Sequence, residues 1–227
     1  VSAWIILAAA GSVAAIDTAS FFQGMFNQPL VICTILGAAL GLPLEGAYLG
    51  ALLQMLWLSE LPVGAAASSD SGPASAGAAG GALLAMQSGL TDTGLAGLAV
   101  LLAAIPLAWA GGYLVRWQRE IQSGLFPRVI AAVERNRPGL VRWYLLIGIG
   151  HDATRGALIA ALGAAVSLLL LQVLEVLKLE GSIPQYTLLA GVLGIGFGVT
   201  LKLYRGPRFL PWLIGGIAAG ALMLMVF

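Results

Sequence analysis

The chain has 227 residues, 59% of them hydrophobic and 9% charged, with a formal net charge of +1 and a mean hydropathy of +0.96. Soluble domains carry about 25% charged and roughly 45–50% apolar residues, so this composition excludes an ordinary water-soluble protein. The small net charge offers no field to attract nucleic acid, and continuous apolar runs argue against a membrane β-barrel, whose strands alternate.

An all-α, polytopic integral membrane domain covering 1–227 is expected, with broken or re-entrant helices in the first half and conventional spans in the second. In chain order, apolar segments fall at 3–22, 29–42, 44–61, 74–90, 93–115, 143–173, 185–203 and 209–227. The first, "VSAWIILAAAGSVAAI", lacks the basic start of a signal peptide and reads as part of a membrane helix. A full crossing takes about 20 apolar residues, and the next three segments are short and broken by Gly and Pro. Backbone that leaves the helix at membrane depth must be satisfied by protein or by a water-filled cavity, so residues 1–92 are expected to hold broken or re-entrant helices. The tract "PVGAAASSDSGPASAGAAGG" (62–81) resembles a linker in composition. Its small residues would let helices approach closely, and "DSGPAS" resembles a helix start, with Asp70 or Ser71 as cap and Pro73 in the first turn. Cys33, the single cysteine, lies in an apolar run and reads as a buried thiol.

Charge orients the second half. Arg116, Arg119, Arg128, Arg135, Arg137 and Arg142 crowd the connection 116–142, and Lys202, Arg205 and Arg208 form a smaller cluster. The positive-inside rule puts both in the cytoplasm, with the spans of 143–227 around them and the C-terminus outside. Within the connection, "EIQSGLFPRVIAAVER" reads as an amphipathic helix for anionic headgroups, or as a surface for a soluble partner.

Polar residues in apolar surroundings mark the places to inspect, because they pair with one another or line a pathway. Asp17, Glu45, Glu60, Asp70, Asp92, His151, Asp152 and Arg155 are the ionisable ones; Gln23, Asn27, Gln28, Gln54, Ser68, Ser69, Ser71, Ser75 and Gln87 are neutral. Asp152 stands three before Arg155, so the two are expected to form a structural ion pair on one helix face. His151 could serve as a proton relay or phosphoryl carrier, but a lone histidine is weak support. Gln54, inside "GALLQMLW", needs partners for its amide, which a sugar hydroxyl or a neighbouring backbone could supply. Glu45 and Glu60 sit beside prolines at helix ends and read as interfacial; Asp92, in "SGLTDTG", reads as a helix cap. No metal-ligand spacing, phosphate loop or nucleophile triad occurs in the sequence, so no metal and no cofactor is expected.

The stretch "NQPLVICTILGAALGLPLEGAYLGALLQMLWL" followed by "PVGAAASSDSGPAS" resembles the IIC component of the mannose/fructose/sorbose family of the bacterial phosphoenolpyruvate:sugar phosphotransferase system (PTS). That family carries a "RPL…CTL.G..LGD...G...G...E" pattern before a "..GAA..PD...AS" segment. Pro29, Leu30, Cys33, Thr34, Gly37, Leu40, Gly41, Gly46 and Gly50 match the first, and Gly64, Ala65, Ala66, Asp70, Ala74 and Ser75 the second. Gln54 stands where a Glu is common, Gln28 where an Arg is common, Leu42 replaces a charged residue, and Ser69 replaces the Pro before the acid. The resemblance implies a multi-pass permease subunit of the bacterial inner membrane, oligomeric and paired with a IID membrane subunit. It would bind a hexose within the membrane and pass it to cytoplasmic phospho-IIB, itself charged by IIA. Gln54 and Asp70, with Ser69, Ser71 and Asn27, are the expected substrate-binding residues.

Two readings stand beside it: a divergent, non-transporting scaffold or sensor of the same family, and a secondary transporter coupled to ions through Asp152 or His151. Sugar phosphorylation by vesicles holding all subunits separates the first from sugar uptake, and IIB and IID genes alongside would count against the second.

Overall fold

The structure, a computed structural model, describes residues 2–20, 23–58, 69–177, 188–196 and 211. Its helices are α1 (Ala3–Ala19), α2 (Pro29–Ala39), α3 (Pro43–Trp57), α4 (Ser71–Gln87), α5 (Thr93–Ser123), α6 (Phe126–Glu134) and α7 (Pro138–Val176); residues 188–196 are also helical. Glu60, Ser68, residues 62–68, the 202–208 basic cluster and most of the spans expected at 185–203 and 209–227 lie outside the described residues.

Helices α2 and α3 are a hairpin of two short arms. Each starts with a proline at its first position, where the missing N–H has no intrahelical partner to lose. The turn between them uses Gly41 at φ +81°, a left-handed conformation that a side chain resists. The arms touch through glycine: a Cβ on Gly37 would lie 2.8 Å from the Cα of Gly46. At 1.5 Å per residue the arms are about 16 and 22 Å long, against a hydrocarbon core of about 30 Å. Gln87 Nε2 donates to the Leu40 carbonyl at 3.1 Å and pins the hairpin's tip to the end of α4.

Helix α4 is the centre of the bundle. From Gly72 to Leu83 every residue is buried, although its glycines disfavour helix by up to about 1 kcal/mol each relative to alanine. Small residues compensate by admitting neighbouring backbones, which is how helices associate where lipid removes the hydrophobic incentive. A Cβ on Gly77 would lie 2.7 Å from the Cα of Ala160, and one on Gly81 would lie 2.9 Å from the Cα of Ala164. Helix α1 meets α7 in the same way, antiparallel, Gly11 against Gly156. Leu7, Leu36, Leu49, Leu53, Leu83, Leu95 and Val100 fill the remaining interior.

Among the described residues, two helical segments are long and apolar enough to cross a membrane: Thr93–Glu134, which takes in α5 and α6, and α7. Both turn large apolar side chains outward, among them Trp109, Tyr113, Leu158, Leu162 and Leu169. The basic connection is largely helical, being the end of α5, then α6, then the start of α7. The amphipathic helix expected over 120–135 is interrupted at Gly124 and Leu125, and only Phe126–Glu134 forms α6.

Asp92 caps α5, its Oδ1 accepting the Leu95 N–H at 2.7 Å. Asp92→Ala is expected to lower stability by about 1 kcal/mol, visible as a fall in the melting temperature of detergent-solubilised protein; an unchanged melt would show the cap to be idle.

Candidate functional site

Three polar residues of the first half, Asn27, Gln28 and Gln54, lie at the open end of the hairpin. Gln54, in the last turn of α3, donates from Nε2 to Gln28 Oε1 at 2.9 Å. Its Oε1 accepts the Leu30 N–H at 3.3 Å. Leu30 is the second residue of α2, where a helix leaves N–H groups without intrahelical acceptors, so the amide of one arm caps the other. Gln54, Gln28 and Asn27 are all half-buried. Beside them the chain folds back onto the start of α4: a Cβ on Gly72 would stand 2.7 Å from the Asn27 carbonyl oxygen. Asn27 therefore packs against the first turn of α4, which Ser69, Asp70 and Ser71 lead into, and Gln54 comes to it through the neighbouring Gln28.

Asp70 occupies the cap position of α4, but its carboxylate does not cap the helix. Its backbone N–H donates to the Ala108 carbonyl of α5 at 2.9 Å. Its Oδ2 accepts from Arg155 Nη1, and the two side chains are 1% and 6% exposed. Gly111 makes room for this, since a Cβ there would lie 2.6 Å from the Asp70 Cβ.

The network continues from Arg155. Its Nε donates to Gln118 Oε1 at 2.9 Å, Gln118 Nε2 donates to Asp152 Oδ1 at 2.6 Å, and Ser20 Oγ donates to Asp152 Oδ2. Asp152 stands 3.6 Å from Arg155 Nη2, so the i,i+3 contact exists, but Arg155 makes its close contact with Asp70. The ends of α1 and α4 are thus joined to α5 and α7 by one polar cluster. Asp70 Oδ1 and Arg155 Nη2 are buried with no hydrogen-bond partner among the described residues.

Sequence reasoning missed Gln118, which sits among arginines and reads as part of the basic connection. Its one available signal is Gly111, seven residues earlier on the same helix face, which marks a close approach. It also missed the partner of Asp17. That carboxylate, 4% exposed, accepts the Gly24 N–H at 2.5 Å and the Asn27 N–H at 3.1 Å. His151 is exposed and lines a cavity of about 330 Å³ between α5 and α7, with Leu114, Trp117, Gln118, Thr154 and Arg155.

The comparisons with known proteins agree with this architecture. The mannose-specific EIIC component of the PTS from Escherichia coli K12 is 26% identical over 202 residues, 86% of this chain and 71% of the relative. The sorbose-specific EIIC component of Klebsiella pneumoniae is 27% identical over 201 residues, with the same coverage. In fold, the chain is similar to a solved structure described as "Structure of membrane protein", with a TM-score of 0.64, 24% identity and coverage of 96% of this chain and 84% of that one. It is also similar to a chain in the structure of the mannose transporter ManYZ with microcin E492, with a TM-score of 0.55 and the same identity and coverage. The family described as "PTS system sorbose-specific iic component" matches residues 1–226, and the chain belongs to that family of membrane sugar-transport components.

Proposed function

We propose that this chain is the sugar-translocating IIC subunit of a mannose-type phosphotransferase permease of the bacterial inner membrane. It works with a IID membrane subunit and passes hexose to cytoplasmic phospho-IIB. The observation that carries this reading is the gathering of Asn27, Gln28, Gln54 and the α4 start at the open base of the hairpin, inside an otherwise apolar body. Sugar hydroxyls both donate and accept, which suits amides and serine hydroxyls. Substrate contacts are assigned to Gln54, Asn27, Ser69 and Ser71, and to Asp70 through the oxygen that Arg155 leaves open.

The short hairpin arms support a re-entrant hairpin, entering from one membrane face and ending at the depth of the sugar. Discontinuous helices whose ends meet a substrate near mid-membrane are a recurring transporter device. With the 116–142 arginines in the cytoplasm, the α1 end that bears Ser20 lies in the cytoplasmic half, beside Asp152. Residues 1–92 then carry the sugar site, and 143–227 supply spans. Phosphorylation of the released sugar makes uptake one-way, so the chain itself needs neither cofactor nor phosphocarrier residue.

Gln54→Ala removes the amide that both caps α2 and faces the site. Sugar binding by the assembled complex is expected to fall at least tenfold, the effect of losing one or two hydrogen bonds in a desolvated site. Binding measured by calorimetry at wild-type affinity would remove Gln54 from the site.

A further inference from the structure

Residues 23–28, between α1 and α2, carry Asn27 and Gln28, yet their backbone is held in an unfavourable form. Gln23 (φ 49°) and Met25 (φ 67°) both lie in the left-handed region, which residues other than glycine rarely occupy. Such conformations persist only where the surroundings impose them. One constraint is the turn closed by the Gln28 N–H on the Met25 carbonyl, at 3.0 Å. The other is Asp17, whose two oxygens each take a loop N–H, those of Gly24 and Asn27. Hydrogen bonds to an ionised acceptor are about twice as strong as neutral ones, and a carboxylate can hold two divergent N–H groups at once.

We infer that Asp17 is a positioning residue for the sugar site: it fixes the 23–28 loop, and through it Asn27, Gln28 and the Gln28–Gln54 amide pair. The inference rests on the proposed function for its sugar readout only. Asp17 sits at the C-terminal end of α1, where the helix dipole disfavours an acid, so helix stability does not explain its place. Asp17 is 4% exposed, and among the described residues its carboxylate reaches the site through the loop backbone. Asn27 in turn is wedged against Gly72 at the start of α4, so a shift of the loop would move both halves of the candidate site together.

The test is Asp17→Asn in the assembled membrane complex. Asparagine keeps the shape and one acceptor, but its NH2 faces a donor where the second oxygen stood. The KM for hexose uptake is expected to rise about tenfold, with the amount of assembled complex and the rate at saturating sugar close to wild type. Hydrogen exchange gives a second readout that needs no transport: the Gly24 and Asn27 amides, which the loop otherwise leaves unprotected, should exchange about tenfold faster in the variant, while α5 amides stay unchanged. An unchanged KM with unchanged exchange overturns the inference. If the wild-type complex transports no sugar, the proposed function fails and the exchange result alone decides the positioning role. If D17N does not assemble, wild-type exchange decides: protected Gly24 and Asn27 amides support it, and unprotected ones refute it.

Discussion

Arg155→Met is expected to destabilise the protein more than any other single change in the polar cluster. It leaves Asp70 and Asp152 as two buried carboxylates without their shared cation. Breaking a buried pair from one side typically costs about 3–5 kcal/mol, a large share of a domain's net stability. The opposite cut should be milder, because in Asp70→Asn the arginine keeps Asp152 at 3.6 Å and Gln118 at 2.9 Å. The double variant Asp70→Asn with Arg155→Met should recover most of the loss, since Asp152 retains Gln118 and Ser20 as donors. Thermal unfolding of the solubilised protein, with the yield of monodisperse material, measures all three. A melt of R155M at the wild-type temperature, or a double variant no better than R155M, would contradict the role given to this pair.

Gly156→Val is expected to prevent the bundle from forming. A Cβ at Gly156 would overlap the Gly11 carbonyl and stand 2.5 Å from the Ala15 Cβ, so α1 and α7 would have to part. Overpacking usually costs about 1–3 kcal/mol because side chains can shift; here the obstruction is backbone, and the cost should exceed that range. Gly150→Ala is the control on the same helix, with nothing within 4 Å of the added Cβ. It should be neutral or stabilising by up to about 1 kcal/mol through helix propensity. The two substitutions having equal effects on the melt would mean that α1 does not pack on α7 at this point.

How far the sequence disclosed this structure depends on the kind of signal. The segments at 29–42 and 44–61 were legible as short elements because proline and glycine punctuate them, and they are α2 and α3. The long helices α5 and α7 were legible from hydropathy, although both run past the apolar limits of 93–115 and 143–173, since a helix continues beyond the lipid-like stretch while its residues allow it. Helix α4 was legible only in part. It is buried on every side, so it has no amphipathic period, and its Gly and Ala content imitates a linker.

The site was less legible than the fold. Asp152 and Arg155 could be paired from a spacing of three, but the Asp70–Arg155 contact joins residues 85 apart, and no local pattern encodes that. Gln54 stood out as an amide in an apolar run, whereas its partners, Gln28 and the Leu30 N–H, depend on the closing of the hairpin. Asp17 was visible as one of several acids in apolar surroundings; its partners are two loop amides whose geometry goes with left-handed residues that composition does not announce.

The most direct test of the central claim is a structure of the IIC–IID complex with hexose bound, determined by cryo-electron microscopy. The arrangement described predicts sugar density at the open base of the α2–α3 hairpin, within hydrogen-bonding distance of Gln54 and of the α4 start at Ser69–Ser71. Sugar lodged elsewhere, such as the cavity between α5 and α7 beside His151, with the hairpin base empty, would contradict it.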